Sequence, residues 1–326
     1  MSALIISLDF ELFWGVADAQ TTASYGRNIE GVWKAIPRML TLFRRHRIEV
    51  TWATVGMLMC RDHAQWNAIR PSLMPAYANP RHSNYGLGTM AREHPQLFFA
   101  RPLVEEILAT PGQEVASHTY SHFYCGEQGA TPAQLAADLE CAAALAAELG
   151  LRLDSLVFPR NQVIPSFLPE LARAGIRTYR GNPDQALYRD GHMPRGGALG
   201  RAARLADSWL PLTGHHLCQP RQTNGLTDIP ASMFLRPRPR YAGALEPLRL
   251  ARLKRAMTAS AMQDSMFHLW WHPHNFGVDL DRNLAVLEQV LAHFSFLRDA
   301  YGMRSLSMRA AACASEEPAM APGLAA

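Results

Sequence analysis

Two histidines four residues apart, His118 and His122, are the residues whose types and spacing most directly suggest chemistry. Histidine nitrogens are common zinc ligands, and in a helical turn two residues at this spacing lie on one face. Both rings could then share an ion with a carboxylate from elsewhere in the chain. The same spacing also occurs by chance in surface helices, so the pair indicates a metal site only in combination with other polar residues.

A pair of acidic residues, Asp9 and Glu11, follows the apolar run Leu4-Ile5-Ile6. Because side chains alternate along an extended backbone, the two carboxylates are predicted to lie on the same side of a strand end. One could bind the metal while the other acts as a base, and the sequence leaves open which carboxylate does which. Two solvated acids at a strand end are the simpler alternative for an isolated pair.

Two further strand-like runs also end in polar residues. Arg160 follows the run 156–158 and could pair with one of the carboxylates and keep it ionised. His272 ends the aromatic-rich run 267–271, and His274 follows it after a proline. We expect His272 to act as the working acid, with His274 as its neighbour.

Three tryptophans, Trp14, Trp270 and Trp271, lie near these residues in the sequence. Flat aromatic rings can stack on the face of a sugar, although packing in the core is the alternative for at least one of them. We predict substrate contacts from Trp14, Trp271, His274 and Asn161.

The elements that must position these residues follow from hydrophobic periodicity. Short apolar, β-branched runs alternate with segments of helical spacing, which favours an α/β fold with a parallel sheet. In such folds ligands gather beyond the carboxyl ends of the strands, where a barrel would bring all of these residues to one face. Strands are predicted at 3–8, 48–56, 114–117, 156–158, 176–179 and 266–271, and helices at 29–45, 131–149 and 280–300.

The organisation along the chain predicts one domain over residues 1–309. A polar, Pro-containing stretch near 62–94 and a Pro- and Gly-rich stretch near 181–240 interrupt the alternation and are interpreted as inserted loops. Residues 310–326 are rich in Ala, Glu and Pro, and we expect a disordered tail there.

Composition excludes several classes of protein. The 326 residues are 48% hydrophobic and 18% charged, which is typical of a folded globular chain. The formal charge of +4 is modest and the arginines are scattered, so nucleic acid is not an expected partner. Five widely spaced cysteines without a C-x-x-C pair suggest neither a disulfide framework nor a cysteine zinc site. The first apolar run is too short for a signal peptide or a membrane span, and we expect a cytoplasmic protein.

The ordered motifs resemble those of the polysaccharide deacetylase superfamily, whose members remove N- or O-acetyl groups from glycans on a distorted (β/α) barrel. The matching segments, in the family's order over residues 5–275, are Ser7-Leu-Asp-Phe-Glu11, Ser117-His-Thr-Tyr-Ser-His122, Phe158-Pro-Arg-Asn161 and Leu269-Trp-Trp-His-Pro273. Two departures stand out. The commoner first motif has adjacent aspartates, and the third motif here lacks the usual second proline and tyrosine after the arginine.

The resemblance implies a role for each residue. Asp9 would be the general base, oriented by Arg160, and His272 would be the general acid. Glu11, His118 and His122 would hold a divalent metal ion, for which zinc is our expectation. The implied substrate is an acetylated amino sugar or glycan precursor.

Two other functions remain open at this point. The same superfamily includes cyclic amide hydrolases of the allantoinase type, some of which need no metal. A non-catalytic carbohydrate-binding homologue would keep the barrel but misplace at least one of Asp9, Glu11 and His272.

Overall fold

The structure, a computed structural model, describes residues 1–189, 197–237 and 243–316. Within these ranges the strands are β1 (Ala3–Phe10), β2 (Val50–Thr54), β3 (Gln113–Ser117), β4 (Ser155–Leu156), β5 (Thr178–Tyr179), β6 (Arg221–Thr223), β7 (Leu226–Asp228), β8 (Met233–Phe234), β9 (Met266–Trp271) and β10 (Arg304–Leu306). The helices are α1 (Thr22–Glu30), α2 (Val32–His46), α3 (His63–Ala68), α4 (Gly88–Glu93), α5 (Arg101–Leu108), α6 (Pro132–Glu148), α7 (Leu168–Arg173), α8 (Gly197–Asp207), α9 (Glu246–Met262), α10 (Leu280–Tyr301) and α11 (Met308–Glu316).

These strands form one sheet in the order β6-β7-β5-β4-β3-β2-β1-β9-β8, with β10 also paired to β1. All pairings are parallel except that between β6 and β7. The sheet curls into a half-barrel with helices around it, which confirms the predicted α/β class and distorted barrel. Because the strands are parallel, their carboxyl ends meet at one edge.

Strand β1 lies at the centre of this arrangement and is buried along its whole length. Its residues Leu4, Ile6 and Leu8 point into the large core that the surrounding helices also line. Ala3 and Ile5 point the opposite way, into a smaller apolar cluster inside the sheet's curve. Since side chains alternate along a strand, the later odd-numbered residues of β1 also face inward, and these are polar.

The helices follow from local signals in the sequence. Helix α6 begins with a capping box, in which the Thr131 side chain accepts a hydrogen bond from the backbone of Gln134 and the Gln134 side chain accepts one from the backbone of Thr131. Pro132 occupies the first helical turn. Helix α10 ends at Gly302, which has a φ of 69° and so adopts the left-handed conformation that glycine tolerates. The predicted helices at 131–149 and 280–300 are confirmed to within a residue or two.

Two of the irregular regions differ from expectation. The stretch near 181–240, interpreted as a loop, contains α8 and three short strands, two of which extend the sheet beyond β5. The predicted disordered tail was wrong up to residue 316, because α11 packs against the sheet with Ala311 and Ala312 buried. The remainder, 317–326, lies outside the described residues. The predicted loop near 62–94 contains the short helices α3 and α4.

None of the helices within the described ranges combines the length and the apolar character needed to cross a bilayer.

Candidate active site

The two acidic residues of the first motif reach the same buried site. Asp9 lies on the inward face of β1, and Glu11 follows one residue beyond the strand's end. Both carboxylates are almost fully buried. Gly15 leaves room for the second of them, because a Cβ added there would collide with the Glu11 carboxylate. The expectation that the two side chains share one side of the strand end is confirmed.

Glu11 contacts both histidines of the second motif. Its Oε2 lies 2.9 Å from Nε2 of His122 and 3.4 Å from Nε2 of His118. One ligand atom from each of the three residues lies within 4.8 Å of the others, in a fully buried group that could hold a metal ion. Two imidazoles and a carboxylate are a donor set found at zinc centres, so these residues fit the expected ion.

The histidine segment is not a helical turn. It is an irregular loop after β3, with positive φ angles at Thr119 (62°) and His122 (58°). The buried carboxylate of Asp138, on α6, holds the loop by accepting hydrogen bonds from the backbone nitrogens of Tyr120 (2.6 Å) and Ser121 (3.1 Å) and from the Ser121 hydroxyl. Burial raises the pKa of Asp138 to about 6. The two imidazoles therefore converge through tertiary contacts and not through helical periodicity.

Hydrogen bonding and burial prepare the two imidazoles for a metal. Nδ1 of His118 lies 2.8 Å from the carbonyl oxygen of Val157. Because a carbonyl only accepts, Nδ1 must carry the proton, which leaves Nε2 facing Glu11 as a lone-pair donor. For His122, burial lowers the pKa and so favours the neutral ring that binds metals.

Asp9 is held by an arginine that the motif comparison did not indicate. The guanidinium of Arg180 forms two hydrogen bonds to the Asp9 carboxylate, at 2.7 and 2.8 Å, and further bonds to Ser7 and Asn161 at 2.9 Å. Burial alone would raise the pKa of Asp9, but Arg180, together with His118 and His272, brings it below its ordinary value. Asp9 is therefore ionised at neutral pH.

The expected contact between Arg160 and Asp9 was wrong. Arg160 lies in the left-handed region, with a φ of 55°. Its side chain pairs with Asp18, lies 3.6 Å from Glu127 and packs over the ring of Tyr124 at 4.2 Å. The turn after Pro159 directs it to the rim of the site, while Arg180, which directly follows β5, reaches the interior. The sequence does contain a signal for Arg180, because this basic residue directly follows the run 176–179, which was predicted as a strand.

His272 and His274 follow β9 and lie beside the two carboxylates. Nε2 of His272 is 3.7 Å from Asp9 and 3.6 Å from Glu11, and its side chain is 23% exposed at the mouth of the site. His274 is buried and stacks on His272, with ring centroids 4.9 Å apart. Burial, followed by the charge of His272, lowers the pKa of His274 to about 3, so this ring is neutral. The stacked pair places one accessible imidazole next to both carboxylates.

Neither tryptophan of the predicted substrate set faces the site. Trp14 is fully buried, donates to the carbonyl of Phe98 and packs against its ring, and Trp271 is fully buried and stacks on Phe276. The neighbouring Trp270 lines the site instead. Side chains on β9 alternate, and Trp270 lies at an even spacing from His272, so the strand period contained the signal that would have selected it.

The opening above these groups is a cavity of ≈ 240 Å³. Asp9, Glu11, His122 and His272 line its floor, and Arg160, Asn161 and Trp270 line its walls. Of the predicted substrate residues, Asn161 therefore faces the cavity, and His274 supports it from behind. A small acyl group entering here would meet a carboxylate, an imidazole and the candidate metal-binding residues at once.

Comparison with solved structures shows what the fold is similar to. A protein assigned as a polysaccharide deacetylase from Mycobacterium smegmatis matches with a TM-score of 0.58 at 14% identity, over 94% of this chain and 87% of that chain. A probable polysaccharide deacetylase from Pseudomonas aeruginosa PAO1 matches with a TM-score of 0.58 at 13% identity, over 97% of this chain and 92% of that one. The resemblance inferred from the motifs is thus confirmed for the fold.

The same fold also carries other chemistry. A GH57-type branching enzyme from Pyrococcus horikoshii matches with a TM-score of 0.54 at 11% identity, over 94% of this chain and 69% of that chain. No known family profile matches the sequence, and neither does any curated protein. At these identities the fold does not specify the reaction, so an assignment of function depends on the residues of the site.

Proposed function

We propose that this chain, folded like the polysaccharide deacetylases, is a metal-dependent hydrolase that removes an acetyl group from an amino sugar or glycan precursor. One observation carries the proposal: the ligand atoms of Glu11, His118 and His122 come close together in a buried group. A second carboxylate, Asp9, lies beside this group and is paired with Arg180. One carboxylate, Glu11, is then available to bind the metal, and the other, Asp9, to accept a proton. Hydrolysis by an activated water requires both functions.

Zinc is the ion we propose for the Glu11, His118 and His122 set. Three protein ligands leave a coordination position for water or substrate, as in catalytic zinc centres. When bound, such an ion lowers the pKa of water toward neutrality and polarises a carbonyl oxygen. Burial favours neutral His122, which fits this role.

Asp9 is the proposed general base. It is ionised, since Arg180 holds its pKa below the ordinary value despite burial. Both carboxylate oxygens accept from Arg180, so the guanidinium also fixes the orientation of the group that receives the proton. Arg180 takes the positioning role that the resemblance assigned to Arg160.

His272 is the proposed general acid. Its Nε2 lies within 4 Å of both carboxylates, and its partly exposed ring reaches the mouth of the cavity, where the departing amine or alcohol would leave. Protonation of the leaving group by a positioned acid typically contributes ~10²–10⁴-fold to the rate. Asn161 and Trp270 are the proposed substrate contacts, and Arg160 at the rim is a further candidate.

The test is an acetate-release assay on acetylated amino sugars in free, phosphorylated, nucleotide-linked, lipid-linked and polymeric form, together with elemental analysis of the purified protein. We expect turnover of at least one sugar, loss of turnover with a chelator and recovery on adding zinc. Asp9→Asn, which preserves shape, should retain the metal while its rate falls ~10²–10⁴-fold. Full activity in the metal-depleted protein would refute the proposal.

The same assay separates the alternative functions. A panel of cyclic ureides, scored by ring opening, tests for an amide hydrolase of the allantoinase type. Metal binding without turnover of any compound in either panel would indicate a binding protein. We place the reaction in the cytoplasm, because five scattered cysteines without a C-x-x-C pair fit a reducing compartment.

A further inference from the structure

A second cavity, of ≈ 260 Å³, adjoins the candidate active site. Asn161 and Trp270 line both cavities, so the two spaces share a wall. The remainder of the second cavity is lined by residues between Asn182 and Leu253, including Tyr188 and Phe234. A molecule whose acyl group lies beside Glu11 and His122 would reach the second cavity by passing Asn161 and Trp270.

The second cavity is rich in arginine. Four guanidinium groups line it: Arg204 from α8, Arg236 after β8, and Arg249 and Arg252 from α9. We call this space the arginine pocket. A guanidinium remains protonated at any physiological pH, so each of the four contributes a positive charge.

Carboxylates of the protein balance two of these charges. Arg252 pairs with the buried Asp207 at 2.8 Å, and Arg249 pairs with Glu246 at 2.5 Å. Arg204 contacts the carbonyl oxygen of Leu187 at 3.4 Å. Across residues 1–189, 197–237 and 243–316, no carboxylate forms an ion pair with Arg204 or Arg236. The described part of the pocket therefore carries an excess of two positive charges.

An anion would stabilise this excess of positive charge. Burial lowers the pKa of Arg236; the nearby Tyr188 opposes this shift, and the charges of Arg249 and Arg204 add to it. Removing a cation from water costs free energy unless an opposite charge or hydrogen-bond acceptors replace the solvent. A guanidinium presents donors in a planar fork that matches phosphate oxygens.

We propose that the arginine pocket binds a phosphate group carried by the same substrate whose acetyl group is cleaved, an inference that rests on the proposed function. The two guanidiniums that lack a carboxylate partner among the described residues match the charge of a phosphate monoester or of a diphosphate. Met233, Phe234 and Leu253 form an apolar side of the pocket beside the arginines, which leaves space for the group attached to the phosphate. The substrate class is therefore a phosphorylated acetyl sugar.

Direct binding of inorganic phosphate and pyrophosphate tests the pocket without requiring turnover. We expect saturable binding by calorimetry in the presence of a chelator, and Arg236→Gln should weaken it by about tenfold or more, because it removes hydrogen bonds from a charged donor. Arg255→Gln is the matched control, because Arg255 is exposed on α9 and lies outside the pocket. Equal affinity in wild type and Arg236→Gln would overturn the proposal. Loss of all binding with the chelator would also overturn it, by showing that the anion bound the metal.

A turnover experiment distinguishes the sources of the phosphate. The substrates are one N-acetyl sugar as the free sugar, its 1-phosphate, its nucleoside diphosphate and its polyprenyl phosphate. We expect the wild type to have at least a tenfold lower KM for one phosphorylated form than for the free sugar, and Arg236→Gln to remove that preference without changing kcat for the free sugar. No preference for any phosphorylated form would overturn the proposal.

The two proposals fail in different ways. Phosphate binding that depends on Arg236, without acetate release from any sugar, would refute the deacetylase and leave the pocket intact. Acetate release without a phosphate preference would refute the phosphate pocket and leave the deacetylase proposal intact. Because Arg236 forms no ion pair among the described residues, its replacement by glutamine should not lower the melting temperature. Arg204→Gln provides an independent second variant.

Discussion

The candidate metal-binding side of the cleft and the arginine pocket share Asn161 and Trp270 but differ in how their charged side chains are paired. In the first, each carboxylate faces partners within the protein: Asp9 faces Arg180, and Glu11 faces His118 and His122. In the second, Arg204 and Arg236 have no carboxylate partner within the described ranges. The pair between Asp9 and Arg180 holds a reacting group in a fixed position, whereas an arginine without a carboxylate partner remains available to an anionic ligand.

The two regions also differ in what supports them. The ends of β1 and β9, paired along six residues, position Asp9, Glu11 and His272. Helices α8 and α9 and the short β8, all outside the regular strand-helix alternation seen in the sequence, supply the arginines. Under the two proposals, the central strands would determine the chemistry and the less regular region would determine which substrate fits.

The largest expected effect is on metal binding and rate, and it should leave the arginine pocket unaffected. His118→Ala should abolish metal binding and lower the rate of acetate release by at least ~10³-fold, because it removes a ligand from the site where water is activated. Phosphate binding in the arginine pocket should be unchanged. Elemental analysis and calorimetry on the same preparation measure both, with His94→Ala, at an exposed position, as the control. Weakened phosphate binding in His118→Ala would contradict the separation.

Arg180→Met removes the positive charge that pairs with the Asp9 carboxylate. Asp9 would then be buried without its cation, and breaking a buried pair in this way costs about 3–5 kcal/mol of unfolding free energy. In the wild type the pKa of Asp9 is below its ordinary value, so the ion pair stabilises the fold at neutral pH and that contribution is lost as pH falls through this lowered pKa. Urea unfolding at pH 7 measures the cost.

The same variant should change the pH dependence of activity. Without Arg180, burial raises the pKa of Asp9, so the acidic limb of the pH–rate profile should move to higher pH. Arg160→Met is the matched control, since Arg160 pairs with Asp18 and Glu127 at the rim. A shift of the acidic limb in Arg160→Met, with none in Arg180→Met, would restore the role that the motif first suggested.

The shared wall can be tested with adjacent tryptophans. Trp271→Ala removes a fully buried ring and should cost about 3–5 kcal/mol of unfolding free energy. Trp270→Ala should instead raise KM about fivefold, corresponding to a stacking contribution of about 1 kcal/mol. Thermal unfolding and steady-state kinetics of both variants make the comparison. A change in KM for Trp271→Ala alone would show that the assignment of the two faces is inverted.

A further expected effect concerns the support of the histidine loop. Asp138→Asn replaces an oxygen that accepts backbone hydrogen bonds with a donor, so the loop should shift and metal affinity should fall about 10–100-fold. Competition with a chromogenic chelator measures the affinity. Glu140→Gln, exposed on the same helix, is the control. Unchanged affinity in Asp138→Asn would show that the loop keeps its shape without the carboxylate.

The sequence by itself determined the class of fold and most of the residues that meet. Apolar runs of strand length predicted β1, β3 and β9, and polar residues at their ends predicted Asp9, Glu11, His118 and His272. These inferences succeed because alternation along a strand and the shared edge of parallel strands are local or generic rules. The choice of Trp271 over Trp270 as a substrate contact was wrong, but side-chain alternation along the strand would have indicated Trp270.

Tertiary structure alone decided which partners these residues have. Whether Arg160 or Arg180 reaches Asp9 depends on the turn after Pro159 and on where β5 lies in the sheet, and neither follows from nearby sequence. Asp138, 16 residues after His122, shapes the histidine loop through contacts that no periodicity indicates. The arginine pocket likewise draws on α8, β8 and α9, because the net charge of a cavity is a property of segments brought together only by folding.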